Sequence, residues 1–287
     1  MFNFLGKYKM IKTALCINSY EELTKLVNRE VDTIEAKIVS RDICEKVENN
    51  LQQLIPYVVF YNIDIHAGKL KFIQYLRCSS GKGEQRLQGN TSIGFGGHID
   101  QKPDIIAREI ITNENELDSY KMSLSDIVET AIKAGLREVQ EELSINLLND
   151  IGDVIDRDHI AFFQGDMNIE VNRVHTGIGI PVKLTEEQFN KLKNTCKFNE
   201  AEIEKLDVLS INIDLIVEQM DTTLVLNEIS NELINKYNLE QWSTVMFNYI
   251  TRKELNEMMK EINYSDIVAL ICNKKAALEQ TTTKSTE

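Results

Sequence analysis

The sequence predicts an α/β or α+β protein built on a mixed sheet, and three observations carry that prediction. Residues 57–65 (YVVFYNIDI) and 69–77 (KLKFIQYLR) are rich in β-branched and aromatic side chains. They flank a short His66–Gly68 connection, which is the pattern of a hairpin. Residues 123–143 contain no proline, begin at a serine and hold apolar residues at helical spacing, the pattern of one long helix. Two more strand-like runs, 160–165 and 174–184 (VHTGIGIPVKL), follow before the chain turns helical again. Strands on both sides of a helix call for a sheet that combines hairpins with a crossover.

The remaining elements are read in chain order. Ser19 and Glu22 form a capping-box pattern, and Leu23, Leu26, Val27, Val31 and Ile34 recur at helical spacing, so residues 19–38 are predicted helical. A second helix is predicted over about 40–55, with Val47, Leu51, Leu54 and Ile55 on one face and Pro56 as its stop. Residues 78–90 are a polar loop. Residues 92–100 (SIGFGGHID) then cluster Gly94, Gly96 and Gly97, which implies positive φ angles or a backbone that something approaches closely. Residues 101–122 read as acidic and irregular. Ser123 or Ser125 caps the long helix. From Thr185 onward the pattern is mostly helical, including 239–250 with Leu239, Trp242, Val245, Met246, Tyr249 and Ile250 on one stripe. The TTTKSTE terminus is expected to be a disordered tail. There is no internal repeat.

Composition narrows the function classes. With 287 residues the chain suits one decorated domain or two small ones, and three prolines and thirteen glycines exclude a collagen-like or Pro/Gly-rich chain. The formal charge of −13 argues against nonspecific DNA binding, which depends on Lys/Arg neutralising phosphates. No run reaches the ~18–20 apolar residues of a membrane span. The opening MFNFLGKYKMIKTALCINSY is broken by Lys7, Lys9 and Lys12 and lacks a leader's apolar run and cleavage site. Cys16, Cys44, Cys78, Cys196 and Cys272 are odd in number and scattered, giving neither a disulfide framework nor a zinc motif. The expectation is a cytoplasmic protein with free, mostly buried thiols.

The informative segment is 129–145, ETAIKAGLREVQEELSI. Glu138, Glu141 and Glu142 stand at i, i+3 and i+4, so a helix sets three carboxylates on one side. Such like charges repel by a few tenths of a kcal/mol per pair, so the helix either faces open solvent or holds a cation. Arg137, four residues before Glu141, is placed to orient that carboxylate. Ile132, Leu136, Val139 and Leu143 form an apolar stripe on the opposite side. Hard oxygen ligands select Mg²⁺, Mn²⁺ or Ca²⁺ over zinc. A Mg²⁺ ion bound by carboxylates keeps positions for water and a substrate phosphate.

Glu129, seven intervening residues and then Arg137-Glu138-Val139-Gln140-Glu141-Glu142 resembles the core of the Nudix box, G-x5-E-x7-R-E-U-x-E-E-x-G-U, where U is a bulky aliphatic. Val139 and Ile145 fit the aliphatic positions. Gly96-Gly97 looks like the glycine pair that opens the box. RLQGNTSIGFGGHID is similar to a Nudix subgroup with a GGH signature, as are SRDICEKVENNLQQLIPYVVFYN, VNRVHTGIGI and LEQWS. The similarity covers roughly residues 40–250. There are two departures. Ser144 replaces the glycine that follows the second Glu pair, and 31 residues, 98–128, separate Gly97 from Glu129 where the standard box has five. That insertion is either a tolerated surface loop or a lid or specificity element.

The resemblance implies a Nudix-like mixed sheet sandwiched between helices, with helical N- and C-terminal extensions. On this reading residues 1–39 are a helical extension, 40–250 the Nudix domain with its insertion at about 101–122, and 251–287 a helical extension and tail. It further implies that Glu138, Glu141 and Glu142 ligate Mg²⁺, for which Mn²⁺ can substitute, that Arg137 positions a carboxylate, and that Glu129 is an auxiliary ligand or structural acid. Gly96 and Gly97 shape the loop beside the metal. The implied reaction is water attack on a phosphorus of a diphosphate in a small, nucleotide-derived substrate, with Glu141 or an acid of the insertion as the candidates for the base that activates the water.

The other residues divide between two roles each. His98 either contacts substrate or closes the turn. His175 is read as structural. Arg77 and Arg86 flank the expected mouth and either bind phosphate, as Arg's paired donors allow, or are solvated loop cations. Trp242 lies on an apolar stripe and is read as packing. Two other functions stay open. One is a non-catalytic Nudix module that binds a nucleotide as a sensor or interaction domain, against which the complete Arg137/Glu138/Glu141/Glu142 set argues. The other is an isomerase on the same fold, for which Cys78 is the one tempting nucleophile. Helices at 19–38 and 239–270 offer surfaces for a homodimer. The acidic site, joined by Asp104, Glu109, Glu114, Glu116 and Asp118 in the insertion, predicts steep metal dependence toward a polyphosphate.

Overall fold

The structure, a computed structural model, describes residues 12–64, 67–79, 87–100, 102–107, 109–111, 119–145, 155–198, 203–213 and 222–261. Arg86, Cys272 and the TTTKSTE terminus lie outside them. In chain order the elements are β1 (Thr13–Ile17), α1 (Tyr20–Val27), β2 (Ile34–Ser40), α2 (Arg41–Cys44), β3 (Gln52–Asp64) and β4 (Lys69–Arg77). Next come β5 (Thr91–Ser92), β6 (Gly94–Phe95), β7 (Glu109–Ile111), β8 (Ser119–Met122) and α3 (Leu124–Leu143). The order ends with β9 (Ala161–Phe163), β10 (His175–Lys183), α4 (Glu186–Thr195), β11 (Ile203–Asn212), α5 (Thr222–Tyr237) and α6 (Gln241–Glu261). The fold is a mixed α+β sandwich, as the sequence predicts.

One sheet runs β11-β4-β3-β1-β2-β8-β7, and β3 is its hub. Along one edge β3 pairs with β10 in parallel from Gln53↔His175 to Tyr61↔Lys183. Along the other it meets β1 at Gln53, β6 at Val58 and Val59, and β4 from Tyr61↔Phe72 to Asp64↔Lys69, all antiparallel. Leu54, Val58 and Phe60 point into a core shared with α1, α3 and α4. Tyr57, Val59 and Tyr61 point into a second core beneath α5 and α6. A strand buried on both faces shows no alternation of apolar and polar residues. The 40–55 segment misleads for that reason. Leu51 precedes β3, and Leu54, Ile55 and Pro56 are strand residues, where a helix ending at Pro56 was predicted. Only the four-residue α2 and a 3-10 turn at Val47–Asn49 precede them.

The 19–38 prediction is half right. Ser19 caps α1 by accepting from the Glu22 N–H at 3.2 Å, but the helix stops at Val27. Glu30 N–H bonds the Lys25 carbonyl and Arg29 N–H that of Leu26, with Arg29 at φ 61°, which is a Schellman closure. Ile34 then opens β2. The N-terminal segment therefore carries a helix together with two strands, and β1 and β2 take interior places in the sheet. β11 was likewise read as helix. It is an edge strand bound by β4, and only Leu209 and Ile211 alternate with exposed Ser210 and Asn212, too short a run for period two to show.

Part of the insertion is ordered on the sheet: β8 pairs with β2 and β7 with β8. Cys16, Cys44, Cys78 and Cys196 are free thiols. Trp242 packs edge-on against Tyr57 and Phe163. No helix among the described residues is long and apolar enough to cross a membrane.

Candidate active site

The site is organised by α3. Ser123 Oγ accepts from the Asp126 N–H while the Asp126 carboxylate accepts from the Ser123 N–H at 2.7 Å, so the capping box settles on Ser123. Ile127, Ala131, Ile132, Ala134, Val139 and Leu143 sink into the core. At Gly135 a Cβ would come within 2.9 Å of Val58 Cγ2, so glycine lets the helix lie close on β3. The C-cap Ser144 sits at φ 53°, ψ 33°, the left-handed region. A non-glycine residue there costs roughly 1 kcal/mol, so Ser144→Gly is expected to raise stability by about that amount, read as a higher urea midpoint at unchanged m.

Neither Gly96 nor Gly97 is among the positive-φ residues; both serve close approach. A Cβ on Gly96 would lie 1.9 Å from the Pro56 carbonyl oxygen, and one on Gly97 would lie 2.4 Å from Glu138 Oε2. The Gly97 backbone is thus laid directly on the Glu138 carboxylate. Downstream, the Leu15 N–H binds the Ile99 carbonyl at 2.8 Å and Thr13 Oγ1 donates to the Asp100 carbonyl at 3.3 Å, which ties this loop to β1.

Arg137 joins loop and helix. Its Nε donates to Asp104 Oδ2 at 2.8 Å. Nη1 donates to Glu138 Oε1 at 2.7 Å and to Glu141 Oε1 at 3.2 Å. Nη2 donates to the His98 carbonyl and to Asp100 Oδ1, each at 3.2 Å. A guanidinium has five N–H donors in a fixed fork, and all five are used. Burial pushes the Glu138 carboxyl up to about 7; Arg137 opposes that rise, while Glu141 and Asp100 reinforce it. Glu141 is 57% exposed, whereas Glu142 is buried; burial holds the Tyr75 phenol high, Arg77 opposes that rise and the charge of Glu142 adds to it.

The side chains of Glu129, His98 and Arg77, the other expected site residues described, have other partners. Glu129 takes Arg157 in two bonds, 2.5 and 3.3 Å. It stands nine residues before Glu138, about 13 Å back along the axis and half a turn round the helix, so it is not gathered with the other three acids. The His98 ring faces His175 edge-on at 5.7 Å between centroids, and its Nε2 is buried without a hydrogen bond. Burial, with Arg41, His175 and Lys12 adding to it, lowers the His98 ring to about 3, so it stays neutral at ordinary pH. Arg77 lies 5.2 Å over the Tyr75 ring and donates Nε to Glu240 Oε2 at 3.2 Å. Glu240 Oε1 also accepts from Tyr57 OH and Ser92 Oγ, both at 2.6 Å, and Tyr57 OH meets Ser243 Oγ at 2.7 Å.

Among the described residues no three His, Cys, Asp or Glu side chains are already drawn together around a cation position. Arg137 stands between Glu138 and Glu141 and holds them to itself. The donor set still fits a hard divalent cation: it is all oxygen, and Gly97 leaves the flank of Glu138 without a side chain. Asp104 and Asp100 are not among the site residues the sequence indicates: Asp104 falls in the acidic, irregular stretch, where only its charge marks it, and Asp100 ends the glycine-rich segment 92–100.

No family model matches the chain, and no curated protein does. Among solved structures it is similar to Tm1382, described as a candidate Nudix hydrolase, at 15% identity and a TM-score of 0.39, covering 84% of this chain and 99% of that one. It is also similar to a MutT/nudix family protein from Listeria innocua, at 13% identity and 0.37, covering 72% and 96%. A C. elegans Ap4A hydrolase matches at 13% identity and 0.31, covering 63% and 98%. The first two are described as Nudix proteins, the superfamily whose box the sequence of α3 resembles.

Proposed function

We propose that this chain is a Nudix-type pyrophosphohydrolase that uses Mg²⁺, or Mn²⁺ in its place, to split a diphosphate linkage in a small nucleotide-derived substrate. One observation carries the reading. The Gly97 backbone lies against Glu138 while Arg137 holds Glu138 and Glu141, which supports reading these residues as one site. A bare acidic site of this kind repels a polyphosphate. Glu138, Glu141 and Glu142 would hold a divalent cation, which when bound would supply the neutralising charge and polarise water. Arg137 restrains Glu138 and Glu141, lowering the entropy lost when they take up a ligand. The exposure of Glu141, the greatest of the three, supports it over the acids of the insertion as the acceptor of the attacking water's proton. Loop 96–100, fastened to β1, keeps the Glu138 flank from filling with side chain.

The test is a panel of nucleoside-diphosphate-linked substrates with Mg²⁺ and Mn²⁺ compared and products identified by mass. Hydrolysis is expected to require the metal and to fall by about 10²-fold or more in Glu141→Gln and Glu142→Gln. A chain that binds a nucleotide but releases no phosphorylated product would favour the sensor function. Activity undiminished in those variants would remove the metal site.

A further inference from the structure

The geometry points to Asp104, an acid of the inserted segment, as the residue that positions the carboxylate site by locking Arg137. This rests on the proposed metal site. Asp104 is 5% exposed, and a buried carboxylate needs a strong partner. Its partner is Arg137 Nε at 2.8 Å. Because the guanidinium is a rigid plane, fixing Nε fixes where both Nη atoms aim, and Nη1 aims at Glu138 and Glu141. Asp104 touches neither carboxylate and acts through the arginine.

The insertion is built to deliver it. Residues 103–106 are held along one stripe of α3. Lys133 Nζ donates to the Pro103 carbonyl, and Asp104 meets Arg137. The Ile106 N–H donates to Thr130 Oγ1 at 2.9 Å, and that hydroxyl donates back to the Ile106 carbonyl at 3.2 Å. Thr130, Lys133 and Arg137 are spaced three and four residues apart, so they form one continuous row for the strap. Glu129, which holds the box's first acid position by sequence, is paired with Arg157 and stands eight residues, about 12 Å of helix, before Arg137. The acid that answers Arg137 therefore comes from the insertion, which is a brace along α3.

The experiment measures Mn²⁺ affinity of the full chain from the free-ion electron paramagnetic resonance signal, beside kcat, KM and thermal melts, for wild type, Asp104→Asn, Asp104→Glu, Arg137→Lys and the Asp104→Asn/Arg137→Lys double variant. Asp104→Asn is expected to weaken Mn²⁺ binding roughly 10–100-fold and lower kcat with KM for substrate little changed. Asp104→Glu should recover part of both, and Asp104→Asn should add little once Arg137 is lysine. Should Asp104→Asn not fold, Lys133→Met slackens the same strap and is expected to weaken Mn²⁺ binding as well. Mn²⁺ affinity within about twofold of wild type in the folded variant overturns the assignment, as does additivity in the double variant. A wild type that binds no Mn²⁺ overturns it together with the metal site. Mn²⁺ binding that depends on Asp104 in a chain that hydrolyses no diphosphate refutes the reaction and leaves the role of Asp104 standing.

Discussion

Glu138→Gln is expected to abolish most hydrolysis, by about 10²–10³-fold in kcat, while making the metal-free protein more stable above neutral pH. The two effects share one cause. Burial holds the Glu138 carboxyl at about 7, above the ordinary value of 4.5. The unfolded chain releases that proton first as pH rises, so between about 4.5 and 7 the folded state binds more protons and its stability falls. The loss is on the order of 3 kcal/mol once the folded carboxyl has ionised. Glutamine keeps an acceptor for Arg137 Nη1 and removes the buried charge. Urea unfolding in a chelator at pH 5 and pH 8 should therefore show wild type losing stability across the interval and Glu138→Gln losing much less. Adding Mg²⁺ at pH 8 should restore wild type alone, because the cation binds only the carboxylate. Equal pH slopes in the two proteins would mean that Glu138 is not the group held neutral by burial.

The second large effect falls at Glu240. Its side chain is 5% exposed and accepts from Arg77, Tyr57 and Ser92. Truncation in Glu240→Ala leaves the Arg77 guanidinium without its carboxylate and takes an acceptor from Tyr57 and Ser92, which keep Ser243 Oγ and the Gly94 carbonyl, and the expected loss of stability is about 3 kcal/mol. Glu240→Gln should cost clearly less, since it keeps one acceptor for the hydroxyls. Arg77→Met in the Glu240→Gln background should recover part of what Glu240→Gln loses, because a pair replaced together leaves no orphan charge. Stability is read from urea midpoints and activity from the diphosphate assay. If Arg77→Met lowers activity at a stability equal to that of an Arg77→Lys control, Arg77 also serves the substrate. If stability and activity fall together, its work is in the network with Glu240.

The sequence made legible whatever depends on neighbours within one turn or one hairpin. Ser123 and Asp126 cap α3 three residues apart, and the face bearing Glu138, Glu141 and Glu142 follows from helical period alone. The β3–β4 pairing follows from two β-rich runs around Gly68. Local patterns mislead at three places. β3 is apolar on both faces and so loses its alternation, the edge strand β11 shows too little of it, and α1 is ended by Arg29 in a conformation that no residue preference announces.

By itself, then, the sequence determined the helix, its carboxylate face, the adjoining glycine pair and, through their spacing, a resemblance to one superfamily. Only the tertiary structure decided which acid answers Arg137, that Glu129 turns to Arg157, that Arg77 is bound to Glu240, and that Gly97 lies on Glu138. The reason is separation along the chain. Asp104 and Arg137 are 33 residues apart, and Arg77 and Glu240 are 163 apart. No local period links such partners. A buried charge takes whichever counter-charge the packed chain brings within hydrogen-bond reach, and for Asp104 of the acidic insertion that is Arg137 of α3.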